Sequence, residues 1–94
     1  MPVDARTKQP AGLLHGGATM LLAETLASCA AWQTIDRKVT EAVGIEINAN
    51  HVRSARDGWV MGRVAPIHLA HATKGRKPLV GAALGGMIEP CELA

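Results

Sequence analysis

The feature that most constrains this chain is an apolar run at residues 18–32, entered through Gly12-Leu13-Leu14-His15-Gly16-Gly17. Ala, Leu and Met dominate the run, and all three are strong helix formers. Leu21, Leu22, Leu26, Ala27 and Ala30 make such a helix apolar over much of its circumference, which calls for burial in a core or an interface. The pattern predicts a helix over residues 15–33. The approach to it, Lys8-Gln9-Pro10, is polar and turn-like.

Two parts of this stretch carry chemistry. The first is the Gly-rich start. The first four N–H groups of a helix lack an internal partner and lie at the positive end of its dipole. Such a place suits a phosphate or a developing oxyanion. Gly16 and Gly17 add no side chain to block the approach. The bland reading is that the two glycines only let the helix pack closely on a sheet.

The second is Glu24, a lone acid in an apolar segment. A buried carboxylate must be paired, hydrogen-bonded or protonated. Ser28, four residues on, shares its face and is placed to hydrogen-bond it. Glu24 is either a salt-bridged or solvent-edge glutamate, or a nucleophile or general base. A helix start and a carboxylate together are what acyl-transfer chemistry uses. Gly16 and Glu24 stand about 12 Å apart along a helix rising about 1.5 Å per residue. A near-attack distance is only about 3–3.5 Å. If both act on one substrate they belong to two subunits, which predicts a symmetric dimer with antiparallel helices.

Other classes are bounded by composition. Ninety-four residues make one domain, and a chain of this size buries only about 60–65% of its unfolded surface. Its core is thin, with no Phe or Tyr and only Trp32 and Trp59 as aromatics, so oligomerisation would help. A net charge of +2 without a basic stripe argues against nucleic acid. Cys29 and Cys91 make no framework of bridges, so a reducing, cytoplasmic setting is expected. The polar N-terminus shows no signal peptide, and no apolar run reaches the roughly 20 residues of a membrane span.

Along the chain, residues 1–10 read as irregular and residues 32–40 as a charged connector. Residues 41–53 alternate, with Val43, Ile45, Ile47, Ala49 and His51 on one face and Gly44, Glu46, Asn48 and Asn50 on the other, which predicts a strand. Residues 54–58 form a turn with Asp57-Gly58 as its hairpin signal. Residues 59–65 read as a second strand, antiparallel to the first and ending at Pro66. Residues 73–78 are a basic loop. The Gly- and Ala-rich stretch beyond fits a poor helix, a short strand or disorder. His15 is a ligand contact or a cap. His51, alone on the inward face, is more often a satisfied core residue than a catalyst. His68 and His71 with a cysteine make only a weak zinc pattern, so no metal is expected. Arg53 and Arg56 either meet phosphates or are simply solvated.

GLLHGG with its following LAE, then GIEINANHVRSAR, then a Gly-containing strand and P-x-HL, resemble the hotdog-fold acyl-CoA thioesterases. The likeness is to the 4-hydroxybenzoyl-CoA and phenylacetate-pathway branch, and within it to the 1,4-dihydroxy-2-naphthoyl-CoA hydrolases of menaquinone synthesis. The resemblance runs over about residues 1–69. It implies an α+β fold: a long central helix packed on a curved antiparallel sheet, in homodimers or homotetramers with sites at subunit interfaces. It implies an aromatic acyl-CoA substrate and no cofactor. By motif, Gln9 and the Gly16 N–H would hold the thioester carbonyl, with His15 the histidine of the HGG element and Gly17 beside the substrate. Glu24 would be the catalytic carboxylate and Ser28 its neighbour. His51 would lie near the site, with Arg53 toward the CoA side. The family's usual aromatic before GLLHGG is Ala11 here. Family members also carry a helix and a strand before the matched part and two more strands after it. The expectation is a partial hotdog domain at 1–72 with a divergent tail at 73–94. The alternatives to a thioesterase are a remnant that dimerises or binds CoA without turnover, and a truncated product without function.

Overall fold

The computed structural model describes residues 1–38, 41–69 and 82–91. Its elements are helix α1 (Gly16–Trp32), strand β1 (Trp59–Leu69) and strand β2 (Ala82–Cys91). The basic loop at 73–78 and His71 lie outside the described residues.

Helix α1 begins and ends one residue inside the span expected for it. His15 is its N-cap: the backbone there is extended (φ −69°, ψ 129°), and its imidazole Nδ1 accepts the Gly17 N–H at 2.8 Å. That bond removes one of the unpartnered donors every helix start carries. At the other end, the Gln33 N–H reaches the Ala30 and Ala31 carbonyls. The Thr34 N–H and hydroxyl also reach the Ala31 carbonyl, at 3.0 and 2.7 Å. Arg37 folds back over the Trp32 ring, 5.6 Å from its centroid, a geometry favourable for a cation on a π face.

The sheet differs from expectation in one respect. Residues 41–53 are not a strand, and β1 pairs with β2 instead. The alternation in this stretch is real, but a strand exists only through a ladder to a neighbour. Near its start β1 is engaged on both sides. Val60 exchanges both of its backbone bonds with Met1, at 2.9 and 3.0 Å, while β2 lies on the opposite side. Residues 41–53 are left without a ladder. Ile45 stands 92% exposed and Val52 93% exposed. His51, expected to face inward, is also exposed.

β1 continues past its expected end at Pro66, as far as Leu69. Pro66 has no N–H to give a ladder, and such residues are tolerated at irregularities. The register shifts between Pro66 and His68, and that irregularity accommodates the proline. Pro90 in β2 faces Val60. Val60 spends its backbone groups on Met1, so the missing N–H of Pro90 costs this pair nothing. The Asp57-Gly58 signal falls at a bend that leads into β1, but it closes no hairpin, because residues 41–53 are not a strand. Gly58 has φ +75°, which only glycine adopts without strain, and its carbonyl accepts the Val3 N–H at 2.8 Å.

α1 lies against both strands. Among the described residues the buried apolar core is Val3 and Val60, 5% and 3% exposed. No residue of α1 is buried, and Leu21 is 68% exposed. The apolar helix that the sequence marks for burial is therefore left partly open among the described residues. Among the described residues no helix is long and apolar enough to cross a membrane.

Candidate functional site

Residues 7–15 fold as a miniature hairpin that delivers Gln9 to the helix start. The His15 N–H bonds the Thr7 carbonyl and the Gln9 N–H bonds the Leu13 carbonyl, both at 2.8 Å. Gly12, at φ +79°, makes the tight return. The Ala11 N–H donates to Gln9 Oε1. The amide oxygen is therefore occupied, and the NH2 group of Gln9 is left as a donor. The Leu14 N–H bonds the Ala55 carbonyl at 2.8 Å, tying this hairpin to residues 51–55.

Between these two pieces opens a cleft of about 340 Å³, lined by Gln9, Leu13, Gly16, Thr19, His51 and Arg53 among others. It brings together four of the residues singled out from sequence: Gln9, Gly16, His51 and Arg53. The His51 ring packs against the bare Cα of Gly16. A Cβ there would lie 3.1 Å from Nε2, 3.4 Å from Cε1 and 3.6 Å from Cδ2.

The two helix-start glycines have different fates. The Gly17 N–H is taken by His15. The Gly16 N–H has no partner among the described residues and sits at the cleft. Gly16 is thus the backbone donor open to an incoming anion, while His15 and Gly17 form the cap beside it. His15 does not line the cleft.

Glu24 and Ser28 form a second cluster, outside this cleft. Ser28 Oγ donates to Glu24 Oε1 at 3.3 Å, across one turn of α1. Both side chains are half-buried. Gly44, from the extended segment, lies directly against this carboxylate. In one chain, therefore, Gln9 and Gly16 lie together at the cleft, while Glu24 and Ser28 lie together elsewhere on α1. Sequence reasoning missed Thr19 and Gly44. Thr19 stands three residues after Gly16, a spacing that shares a helix face. Gly44 is a glycine within an alternating run, a place where close backbone approach is common.

The pattern of the Thioesterase superfamily matches residues 11–73, more than half of the chain. The chain belongs to that family. It is 58% identical over 69 residues to a 1,4-dihydroxy-2-naphthoyl-CoA hydrolase of Escherichia coli, covering 73% of this chain and 50% of that protein. It is 51% identical over 73 residues to the putative esterase ComA2 of Bacillus subtilis, covering 78% of this chain and 58% of that one. The chain spans about half the length of the curated relatives it matches. Among solved structures, a mutant of thioesterase PA1618 from Pseudomonas aeruginosa superposes with a TM-score of 0.76 at 40% identity. That match covers 97% of this chain and 72% of the other. Thioesterase HI1161 from Haemophilus influenzae gives 0.71 at 48% identity over 74% of this chain and 48% of that one. A helix set against antiparallel strands, with these neighbours, is consistent with part of an α+β hotdog fold.

Proposed function

We propose that the chain is an acyl-CoA thioesterase whose site is completed between two copies. The carrying observation is the open Gly16 N–H at a cleft shared with Gln9 and His51. A thioester oxygen seated there would take hydrogen bonds from the Gln9 NH2 and the Gly16 N–H as it gains negative charge. Glu24, about 12 Å away along its own helix, would serve the cleft of the partner subunit. There its carboxylate either attacks the thioester carbonyl, giving a mixed anhydride that water then hydrolyses, or takes a proton from a water that itself attacks the carbonyl; in both the C–S bond breaks and the coenzyme A thiolate takes up a proton released by that water. Ser28 holds one carboxylate oxygen. Arg53, an exposed residue lining the cleft, would meet the phosphates of CoA. The exposed apolar surface of α1 supports a homodimer or homotetramer. The name of the Escherichia coli relative supports an aromatic acyl group of the 1,4-dihydroxy-2-naphthoyl kind, and with it a role in menaquinone synthesis and a cytoplasmic site of action. The division into a domain at 1–72 and a divergent tail at 73–94 belongs to the same proposal, the tail supplying β2 to the sheet.

The test is thiol release from benzoyl-CoA and a naphthoyl-CoA analogue. Glu24→Ala and Gln9→Ala are each expected to lose on the order of 10²–10³ in kcat/KM. Mixing the two variants separates a shared site from a local one. In a mixed dimer one of two sites holds both intact halves, so random pairing restores about a quarter of the activity. No restoration by mixing, from subunits shown to exchange, refutes the shared site.

A second reading, CoA binding without turnover, is favoured by one observation: Glu24 and Ser28 do not line the cleft of their own chain. It predicts CoA affinity untouched by Glu24→Ala and no thiol release in either protein.

A further inference from the structure

We infer that Gly44 is a positioning residue for Glu24, a seat of bare backbone that sets which carboxylate oxygen faces the substrate. The inference rests on the reading of Glu24 as the reacting carboxylate.

The observation is one of space. A Cβ built on Gly44 would stand 2.6 Å from Glu24 Oε1, 3.4 Å from Cδ and 3.6 Å from Oε2. No side chain fits at position 44 with the carboxylate where it is. Oε1 thus takes the Ser28 hydroxyl bond at 3.3 Å and is closely approached by the bare backbone of Gly44. Oε2 lies farther from Gly44 and has no hydrogen-bond partner among the described residues. The geometry gives the two oxygens different tasks. Oε1 is the anchored one, and Oε2 is the one left to attack a carbonyl or accept a proton from water.

Any other residue at position 44 must move the acid. What would yield is the far end of a flexible side chain, not backbone, and Gly44 does not have a positive φ. Alanine is therefore compatible with the local fold. Ordinary contact begins near 3.4 Å, so Oε1 must retreat by about 0.8 Å. Displacements of about 1 Å at a reacting group cost on the order of 10²-fold in rate.

The experiment compares kcat and KM of the unaltered chain, Gly44→Ala, Glu24→Asp and the double variant, with thermal unfolding recorded for each. The expected result is a kcat lowered roughly 10- to 100-fold in Gly44→Ala, with KM within about twofold and an unchanged or raised Tm. Aspartate is one methylene shorter and does not reach the seat. In the Glu24→Asp background the same alanine is expected to cost less than about threefold, a non-additivity that a general structural fault would not produce. An equal loss in both backgrounds overturns the inference, and so does an unchanged kcat in Gly44→Ala where Glu24→Ala abolishes turnover. The carboxyl 13C resonance of Glu24 reads the seat without activity. It is expected to shift in Gly44→Ala, and an unmoved resonance overturns the seat even if the chain hydrolyses nothing. Absence of Glu24-dependent turnover with a shifted resonance refutes the thioesterase reading alone.

Discussion

Gly16→Ala separates stability from catalysis in this fold, because it moves the two in opposite directions. Gly16 is the first residue of α1 and has an ordinary helical backbone, so alanine can occupy it. Replacing glycine where the conformation suits alanine stabilises by about 0.4–1 kcal/mol, mainly by restricting the unfolded chain. Against this stands the His51 ring. The new methyl would sit 3.1 Å from Nε2, closer than ordinary contact by a few tenths of an ångström. His51 is exposed and can swing outward at little cost. The balance is a gain of up to about 1 kcal/mol, equivalent to about 4–8 °C in Tm for a chain of this size. The site pays for that gain. The methyl stands beside the open N–H and pushes His51 out of the cleft that it lines with Gln9. The donor itself remains, so the loss should fall short of the 10²–10³ that follows removal of an oxyanion donor, at about tenfold in kcat/KM. Thermal unfolding by circular dichroism and thiol release on the same preparations check both signs. A fall in Tm shows that His51 cannot yield, and an unchanged kcat/KM shows that the Gly16 side of the cleft does not meet the thioester. Either result refutes the reasoning.

Two further predictions concern the frame around the site. His15→Ala removes the N-cap acceptor of α1 and should cost about 0.5–2 kcal/mol in chemical denaturation, while His15→Asn, which restores an acceptor, recovers most of it; equal losses in both would show that the cap bond is not what holds the helix start. The Arg6 side chain and backbone N–H both bond the Asp4 carboxyl, which they hold down to about 2, against an ordinary 3.8. A depressed carboxyl contributes stability that is complete above the ordinary value and lost as pH falls through about 2. The Asp4 carbon resonance should therefore titrate near that value, and return toward 3.8 in Arg6→Ala. Because both groups face water, 1 M salt should weaken the effect.

Helix α1 and its glycine-rich start were legible in the residues themselves. An Ala-, Leu- and Met-rich run after a Gly-Gly start makes a helix through local propensity. The i, i+4 relation of Glu24 and Ser28 follows from helix geometry alone, and the structure shows their bond. The turn at Asp57-Gly58 is equally local, because it rests on the backbone freedom of a single glycine. Residues 41–53 were less tractable. Their alternation describes the surface a strand would present, whereas pairing depends on what else competes for β1. Here the competitors were the first residues of the chain and β2, which has no clear period and whose residues become a strand by lying against β1.

The sequence by itself determined α1, its glycine-rich start and the spacing of acid and donor, because each depends on contacts within about one helical turn or one tight turn. The cap bond between His15 and the Gly17 N–H, two residues apart, is local in the same way and leaves the Gly16 N–H open. Only the tertiary structure decided that His51 rests on Gly16 and that Gly44 rests on Glu24. These facts join positions far apart in the chain through close approaches of a few ångströms. Such approaches depend on the path of the backbone between them, and residue type alone does not specify that path.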